Sequence, residues 1–288
     1  MTMKIFVTRL IGQWLNLLAW LAPARAGRTG FDLFCTPFGA RPRPHQRAFL
    51  DSARHTIITV ANEAIQVYRW GTGPRKVLFL HGWQSHSFRW RNYIQALSGD
   101  AYTLYALDAP AHGLSGGRML HLPKYAAVIE AFLHQVGEVD AIVSHSLGSF
   151  ASLYALHQNP VLPVRKLVIT GTPGEVEEFM QYYRQTLGLS KRALQCIYQH
   201  FIRVVDHHPR YYSAARFAES LWLPGLIIHD EGDPDAPYRH AQAIQKNWPH
   251  AHLVTTRGLG HNLKSGEVIA RVAHFLQGDA QHASMSGR

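Results

Sequence analysis

Ser146 lies in a segment whose residue types could support nucleophilic chemistry. Residues 143–148 read V-S-H-S-L-G, with a small residue two positions before Ser146 and two positions after it. A chain can turn sharply from a strand into a helix and expose a serine oxygen at that turn only where these two neighbours are small. Ser144 stands at the first of these positions, where glycine is usual. The pattern predicts a nucleophile elbow, provided that a base, an acid and oxyanion donors lie elsewhere in the chain.

A histidine and a group of carboxylates that could activate this serine follow it in the chain. His261 lies in the loop G-L-G-H-N after the last predicted strand, and its flanking glycines allow an exposed loop conformation. The acidic run at 229–235 follows the preceding strand, and a carboxylate there can hold the imidazole tautomer and stabilise the imidazolium. Asp233, at the apex of the turn, is the predicted acid, with Asp230 and Asp235 as alternatives. Such a run can also bind a cation, but its spacing defines no coordination geometry.

Two backbone amides are candidates for stabilising a developing oxyanion. The tripeptide H-G-W at 81–83 ends a predicted strand, and its glycine lets the chain turn so that the Trp83 amide can face a substrate oxygen. The second candidate is the amide of Leu147, directly after the nucleophile. Asp108 and His112 follow the next strand in a segment whose aspartate, proline and glycine are typical of a turn. We interpret both residues as structural.

Aromatic residues predict an apolar binding pocket for an acyl group. Trp83 and Phe88 are the predicted substrate-binding residues. Further aromatic side chains could contribute to the same pocket, and core packing is expected to account for at least half of the set: Trp90, Phe179, Tyr182, Tyr183 and Phe201.

Alternating strands and helices would position these residues. An antiparallel entry hairpin is predicted at 56–60 and 64–70. Six apolar strands follow at 76–80, 102–107, 141–144, 166–170, 225–229 and 252–255. Helical stretches separate most of them, near 89–97, 124–136, 147–158, 238–247 and 266–276. Short apolar strands that alternate with helices predict an α/β fold with a mostly parallel sheet covered on both faces, whose ligands gather at the carboxyl ends of the strands.

Three segments depart from this alternation. Residues 174–222 contain several helical patterns and no convincing central strand, which predicts a helical lid inserted over the sheet. Residues 1–54 are predicted to form an amphipathic helix and a basic linker. The main domain is expected at 55–277 and a disordered tail at 278–288.

The N-terminal segment 5–21 allows two interpretations. Its apolar residues fall largely along one helical stripe, but polar residues such as Arg9 and Asn16 interrupt it, whereas a spanning helix needs about 20 mostly apolar residues. A basic start and the sequence A-R-A at 24–26 also fit a cleaved signal peptide. We favour a retained amphipathic helix that docks on the domain or on a membrane surface, which predicts a cytoplasmic protein, with membrane association in the second case. The signal-peptide alternative stays open.

Composition and charge narrow the class of protein. The chain has 288 residues, of which 47% are hydrophobic and 17% charged, which is typical of a globular chain and not of a disordered one. Its net charge is +10, and residues 1–54 contribute +6 from eight basic and two acidic residues. A basic arm could attract anionic lipid or nucleic acid, but without a nucleic-acid-binding motif we expect no nucleic-acid partner. Cys35 and Cys196 have no metal-ligand spacing, so we expect reduced, buried thiols and no metal or cofactor.

The order Ser146, Asp233, His261 along the chain is that of the α/β-hydrolases. From about residue 55 to 277 the sequence resembles this superfamily, and its serine-esterase-like bacterial members, in the order and spacing of five segments: HGW, DAPAHGLS, SHSLG, HDEGD and GLGH. The resemblance implies the α/β-hydrolase fold and acyl transfer through a covalent intermediate, with His261 as the base. A serine at the elbow argues against dehalogenase or epoxide-hydrolase chemistry.

The expected activity is hydrolysis of a small or medium apolar carboxylic ester without a cofactor. A thioesterase, lactonase, amidase or acyltransferase would use the same residues. A ligand-binding protein that keeps the fold without turnover is the alternative from a different class. The natural acyl group, the leaving group and the oligomeric state do not follow from the sequence.

Overall fold

The computed structural model describes residues 3–39 and 41–278, with side chains from Val7 onward, and forms two compact units. The first unit combines the chain up to Thr36 with Glu175–Ser213. The second unit contains Pro37–Gly174 and the chain from Ala214 onward. Apart from Gly278, the predicted disordered tail lies outside the described residues.

The second unit is built on a sheet of eight strands in the order β1-β2-β4-β3-β5-β6-β7-β8. β1 pairs antiparallel with β2, and β2 pairs antiparallel with β4, whereas the other neighbours run parallel. The strand bounds agree with the predicted bounds to within two residues, so the prediction of a mostly parallel sheet is confirmed. The strands are β1 Arg54–Val60, β2 Glu63–Trp70, β3 Arg75–Leu80, β4 Tyr102–Leu107, β5 Ala141–His145, β6 Leu167–Thr170, β7 Gly225–Asp230 and β8 Ala251–Thr256.

Eleven helices are described along the chain, and those of the second unit flank the sheet. The helices are α1 Met3–Leu21, α2 Pro23–Cys35, α3 Pro44–Leu50, α4 Arg91–Leu97, α5 Leu122–Val136, α6 Leu147–Gln158, α7 Val176–Leu187, α8 Lys191–Val205, α9 Ala214–Ala218, α10 Arg239–Asn247 and α11 Gly266–Gln277. Short 3₁₀ turns at Ser87–Trp90 and Pro209–Tyr211 complete the set. The predicted helical insertion between β6 and β7 is confirmed, because α7, α8 and α9 all lie there. None of the described helices is long and apolar enough to cross a membrane.

The central strands are apolar on both faces because both faces are covered. Every residue of β5, β6 and β7 is buried. On one face, Val77, Phe79 and Val143 of the sheet pack with side chains of α4 and α11, such as Ile94 and Val272. Burial of each such side chain stabilises the fold by about 1.5–3 kcal/mol. This packing fixes the carboxyl ends of β3, β5, β7 and β8, which are followed by the residues with predicted chemistry.

The N-terminus of α5 is capped by a histidine that must stay neutral. His121 Nδ1 accepts a hydrogen bond from the backbone N–H of Lys124 at 3.2 Å. Its pKa is lowered to about 4, because burial and then the nearby Lys124 ammonium disfavour the charged imidazole. In the unfolded chain the imidazole pKa is about 6.5. Between that pH and the folded value, the unfolded chain binds a proton at this histidine and the folded chain does not. The stabilisation is therefore fully present above pH 6.5 and is lost as the pH falls towards 4.

We expect this histidine to account for about 2 kcal/mol of the stability lost between pH 7.5 and pH 5. His121→Asn keeps a capping oxygen but cannot titrate, so its free energy of unfolding should fall less over that range. Urea unfolding at the two pH values measures the difference. His134→Asn, on the exposed face of the same helix, is the control and should keep the full loss. An equal loss in both variants would contradict this account of the cap.

The first unit is held together by close helix packing at glycine positions. α2 lies against α8, and a Cβ atom on Gly27 would come within 2.3 Å of the Cys196 carbonyl oxygen. A Cβ atom on Gly12 of α1 would come within 1.8 Å of the Leu187 carbonyl oxygen at the end of α7. Glycine therefore lets the helix backbones approach each other, although it is a poor helix former. The sequence pattern did not predict α2, because its formation depends on this packing.

Polar side chains of α1 also take part in this packing. Asn16, which interrupts the apolar N-terminal segment, donates to the Gly188 carbonyl at 3.0 Å and accepts from the Ser190 amide at 2.7 Å. It thereby satisfies backbone groups in the turn between α7 and α8. Cys35 and Cys196 are both buried thiols, as expected.

Candidate active site

Ser146 lies between the end of β5 and the first residue of α6, in a backbone conformation that few residues adopt. Its φ is 52° and its ψ is −121°, a strained combination for a residue with a side chain. Its amide donates to the Thr170 carbonyl at 2.9 Å, which holds the turn in place. A Cβ atom on Gly148 would come within 2.6 Å of the Leu80 carbonyl oxygen, so that position requires glycine. Ser144 fits the other position because its hydroxyl donates to the Val168 carbonyl at 3.0 Å.

Ser146, His261 and Asp233 form a continuous row, in which His261 lies within hydrogen-bond distance of both other residues. His261 Nε2 is 2.9 Å from Ser146 Oγ, and His261 Nδ1 is 2.8 Å from Asp233 Oδ2. An ionised carboxylate can only accept, so Nδ1 carries the proton and donates to Asp233. Nε2 is then free to accept from the serine hydroxyl. The arrangement can remove a proton from Ser146 as its oxygen attacks an electrophile.

Asp233 is buried yet surrounded by donors that favour its charged form. Burial alone would raise its pKa, but the hydrogen bond from His261 and the amides of Ala236 and Asp235 outweigh burial, so the pKa lies below its usual range. Both amides donate to Oδ1 at 2.9 Å. His229, also buried, lies beneath the same turn with Nε2 2.7 Å from the Ala236 carbonyl oxygen, to which it donates. Asp233 is therefore ionised at neutral pH.

The two alternative acids, Asp230 and Asp235, make contacts different from those of Asp233. Asp230 accepts from the Thr256 hydroxyl at 2.8 Å and from the Leu259 amide at 2.9 Å, so it ties the loop before His261 to the sheet. Asp235 is exposed. Its carboxylate lies with Asp233 and His261 in a group whose ligand atoms are within 4.8 Å of one another, the spacing a cation would need. Both oxygens of Asp233 already accept hydrogen bonds, and that use favours the histidine contact over a cation site.

The predicted oxyanion loop passes directly beside the serine. A Cβ atom on Gly82 would come within 2.8 Å of Ser146 Cβ, so only glycine permits the approach. Among the described residues, none accepts a hydrogen bond from the amide of Trp83 or from that of Leu147. Leu147 is the first residue of α6, where backbone N–H groups have no partner within the helix. Both amides are therefore free to donate to an oxygen bound beside Ser146.

Two buried histidines that sequence analysis left without a role at the site hold this loop. His112 Nε2 accepts from the amide of Gln84 at 3.0 Å, and its Nδ1 donates to the Pro110 carbonyl at 2.9 Å. His81 Nε2 accepts from the Ala109 amide at 3.0 Å. Burial lowers the pKa of both histidines, which keeps each Nε2 lone pair available. The signal in the sequence is a histidine in each of two loops that follow neighbouring strands.

His145, the residue before the serine, fixes the backbone of His261, the predicted base. Its Nε2 donates to the His261 carbonyl at 2.8 Å, and the two ring centroids are 4.9 Å apart. Burial lowers its pKa well below the usual range, so the ring is neutral. This role could not be predicted from the sequence, since no pattern shows which carbonyl a strand-end histidine will reach.

Asp108 is structural, as the turn chemistry indicated. Its buried carboxylate accepts from the amide and hydroxyl of Ser87 at 2.8 and 2.7 Å. It also accepts from the Tyr68 hydroxyl at 3.0 Å and the Leu114 amide at 2.9 Å. The two bonds from Ser87 connect the loop after β4 to the start of the 3₁₀ turn, and all four satisfy the buried charge.

The aromatic residues predicted to line a pocket fall into different places. The Trp83 ring meets His112 edge-on, with centroids 5.4 Å apart. Phe88 packs edge-on against Phe49 at 5.8 Å. Trp90 is fully buried against Phe79. In the first unit, Tyr183 and Phe201 pack against α2, and Phe179 and Tyr182 are exposed.

Comparison with known proteins places this chain in a family. A model of the alpha/beta hydrolase family matches residues 77–272. The chain is 24% identical over 237 residues to the pimeloyl-[acyl-carrier protein] methyl ester esterase of Nitrosomonas europaea, covering 69% of this chain and 92% of that protein. It is 30% identical over 135 residues to the dihydrolipoyllysine-residue acetyltransferase component of the acetoin cleaving system of Cupriavidus necator, covering 46% of this chain and 36% of that protein. The chain therefore spans about a third of the length of that second relative.

Solved structures share the same architecture. A membrane phospholipase A described as a bacterial virulence factor superposes with a TM-score of 0.63 at 16% identity, over 96% of this chain and 99% of that chain. An esterase from Rhodococcus sp. ECU1013 superposes with a TM-score of 0.59 at 17% identity, over 78% of this chain and 98% of that chain. Since the family model matches well over half of its residues, the chain belongs to the alpha/beta hydrolase family. The fold expected from the five sequence segments is thereby confirmed.

Proposed function

We propose that the protein is a serine hydrolase that cleaves a carboxylic ester, or a related acyl compound, through an acyl-enzyme intermediate. The observation that carries this proposal is the position of His261, with one ring nitrogen 2.9 Å from Ser146 Oγ and the other 2.8 Å from Asp233. The strained serine backbone and the free amides beside it support the same conclusion.

In this mechanism Ser146 Oγ attacks the carbonyl carbon while His261 Nε2 takes the hydroxyl proton. The amides of Trp83 and Leu147 stabilise the negative oxygen, and each such donor contributes on the order of 10²–10³ in rate in enzymes of known mechanism. Asp233 stabilises the imidazolium without taking its proton. His261 then protonates the leaving alcohol as the acyl–oxygen bond breaks. Water, deprotonated by His261, releases the acid and restores the serine.

The proposed substrate is an acyl compound with a small or medium apolar acyl group, for which Trp83 and Phe88 remain the predicted binding residues. Thioester, lactone or amide cleavage and acyl transfer would use the same residues. The esterase and acetyltransferase names among the relatives are compatible with each of these reactions. A binding protein without turnover would have no need of a strained serine aligned with a histidine and a buried carboxylate.

Labelling and burst kinetics test the proposal directly. A fluorophosphonate should label the protein at Ser146, as located by mass spectrometry of the peptides. Hydrolysis of p-nitrophenyl esters of increasing acyl length should begin with a burst of one equivalent wherever deacylation is slower than acylation. If the protein showed no labelling and no turnover, the proposal would be overturned and a binding protein would be favoured. Labelling without ester turnover would support Ser146 as the nucleophile and indicate a thioester, lactone, amide or acyl-transfer substrate.

We further propose that α1 contacts an anionic membrane surface. Five exposed apolar residues of this helix are spaced three or four positions apart and so share one face: Val7, Leu10, Trp14, Leu17 and Leu21. Leu17 is 58% exposed and Leu21 is 75% exposed. The opposite face is buried through Leu15 and Ala19, so the helix has two apolar faces and only one is covered within the first unit.

The charges near this exposed face of α1 indicate which kind of membrane surface it would contact. Arg9, Arg25 and Arg28 are exposed on α1 and α2, and the first acidic residue of the chain is Asp32. Trp20, 69% exposed, lies under the Arg192 guanidinium at 4.3 Å. An apolar face flanked by arginine and tryptophan is typical of helices that lie in the interface of an anionic bilayer. The solved membrane phospholipase A shares the fold over a range that includes most of these helices.

We expect Trp14→Gln/Leu17→Gln to lower partition into phosphatidylglycerol vesicles by at least about tenfold, because two side chains lose their apolar contact with the bilayer. Vesicle flotation measures the partition, and added salt should also weaken it. The control Trp222→Gln/Val161→Gln removes an exposed tryptophan and an exposed aliphatic residue of the second unit. An equal loss in both variants would contradict a docking face on α1. The proposal would also be contradicted if Trp14→Gln/Leu17→Gln left the vesicle partition unchanged but abolished a dimer seen by size-exclusion chromatography. The exposed face of α1 would then bind a second copy of the chain.

A further inference from the structure

The second unit has a cleft whose side chains are strongly cationic. Its volume is about 540 Å³, which is within the range of small-molecule binding sites. Among the described residues that line it there is no aspartate or glutamate. Five of the lining residues carry a positive charge: Arg41, Arg43, Arg89, Arg91 and Lys264.

These charges are not neutralised by the chain that the structure describes. None of the five forms an ion pair with a described carboxylate. Two nitrogen atoms of lining residues, Arg89 Nε and His86 Nδ1, are buried and have no hydrogen-bond partner among the described residues. Buried polar nitrogens are almost always paired, so two side chains in the wall of the cleft keep unused hydrogen-bonding capacity in addition to the unused charge.

The cleft lies against both loops on which the proposed chemistry depends. Gln84, directly after the oxyanion donor Trp83, lines one part of it, and Asn262, directly after His261, lines another. The Arg89 guanidinium donates to the Asn262 carbonyl at 2.7 Å. A group bound here is therefore beside the base that protonates the leaving group. The cationic side chains are unsuited to an apolar acyl chain, so the cleft matches the leaving-group side of a substrate. Phe88 also lines the cleft, with the Arg91 guanidinium 5.2 Å from its ring centroid, and in this arrangement it would contact the leaving group and not the acyl group.

We propose that this cleft binds a phosphate or diphosphate group carried by the leaving group of the acyl substrate. The inference rests on the proposed function, because it assigns the chemistry of that substrate. Arginine suits phosphate since its planar fork donates two parallel charge-assisted hydrogen bonds, and no carboxylate in the cleft repels the anion. Two kinds of leaving group carry such a group: a glycerophosphate, in which the phosphate lies a few bonds from the acyl oxygen, and a phosphorylated thiol such as coenzyme A, in which the phosphates lie at the far end of a long arm from the acyl sulfur.

The reaction balances in either case. Water supplies the hydroxyl that bonds to the acyl carbon, the bond from that carbon to sulfur or oxygen breaks, and the remaining proton reaches the leaving group through His261. The phosphate takes no part in bond making. It positions the leaving group and contributes binding energy.

Binding can be measured without turnover. We expect calorimetric titration of the full chain to show binding of coenzyme A or of glycerol 3-phosphate, weakened at least about tenfold by Arg91→Glu/Lys264→Glu. Both side chains are exposed at the cleft and neither belongs to the proposed catalytic machinery. The control Arg118→Glu/Lys246→Glu makes the same change in net charge at exposed positions outside the cleft. Equal weakening in the two variants, or binding of inorganic phosphate as tight as that of both ligands, would overturn the proposal.

Matched substrates identify the source of the phosphate. Butyryl-coenzyme A is compared with the butyryl thioester of N-acetylcysteamine, and a soluble short-chain phosphatidate with the corresponding diacylglycerol. In one of these pairs kcat/KM should favour the phosphate-bearing member by at least about tenfold, and Arg91→Glu/Lys264→Glu should remove the preference mainly through KM. Hydrolysis of p-nitrophenyl butyrate should stay within about twofold in that variant. No preference in either pair would overturn the proposal.

The two proposals fail in distinguishable ways. Absence of all ester and thioester turnover, with charge-dependent binding of coenzyme A or glycerol 3-phosphate intact, would overturn the hydrolase and leave an anion-binding cleft. Turnover of p-nitrophenyl esters without anion binding would leave the hydrolase and overturn the cleft.

Discussion

Replacing Ser146 with alanine should lower kcat for p-nitrophenyl ester hydrolysis by at least about 10⁴-fold. The variant retains the histidine, the carboxylate and the oxyanion amides but has no oxygen to form the acyl-enzyme. Any residual rate would come from a water molecule activated beside the same donors. The comparison is of initial rates for purified native and variant protein, with circular dichroism to verify the fold.

Ser152→Ala is the matched control. This buried serine lies on α6, six residues beyond Ser146, and among the described residues its hydroxyl donates to the Gly148 carbonyl alone, at 2.8 Å. Its loss should change kcat less than about threefold, because it touches no group in the proposed mechanism. If Ser146→Ala retained a rate comparable to that of Ser152→Ala, the serine would not be the nucleophile.

Replacing Asp233 with asparagine should lower kcat by about 10⁴-fold, as in serine hydrolases where this change has been made. The amide of asparagine can donate to His261 Nδ1, which leaves the proton on Nε2. That nitrogen then cannot accept the serine proton. Binding should change little, so KM should stay close to that of the native protein while kcat falls.

The neighbouring acids serve as controls for this prediction. Asp235→Asn should retain kcat within a few fold, because Asp235 contacts Asp233 through its backbone amide, which the substitution keeps. Asp230→Asn should mainly lower stability, because the Leu259 amide and the Thr256 hydroxyl lose a charged acceptor. A 10⁴-fold loss in Asp235→Asn together with a small loss in Asp233→Asn would show that the acid had been misassigned.

Much of the fold follows from local sequence patterns. The apolar strands β5, β6 and β7 are short and continuous because helices cover both faces of the sheet, and such runs are visible without a structure. Ser146 could be located because a sharp strand-to-helix turn requires small neighbours. His261 and the acidic run could be located because each follows a strand that the sequence marks clearly.

Other features depend on contacts between distant segments. α2 contains two glycines in its packed face, and nothing local favours a helix there until Gly27 allows α8 to approach. The helical insertion was predicted, but its grouping with the N-terminal helices in one compact unit was not, because residues 1–36 and 175–213 are far apart in sequence. Tyr183 and Phe201, predicted to line a pocket, instead pack against α2.

The sequence by itself determined the order of the strands and helices along the chain, the serine turn, and the succession of a serine, an acidic run and a histidine that is typical of an acyl-transfer site. Residue type and spacing are sufficient for these, since they depend on local backbone geometry and on the order of the strands along the chain. Only the tertiary structure decided which of three acids reaches His261, that His81 and His112 hold the loop of Trp83, and that five cationic side chains share a cleft beside the loop of His261. Each of these depends on ångström-scale distances between side chains far apart in the chain, and such distances are set by packing and not by sequence spacing.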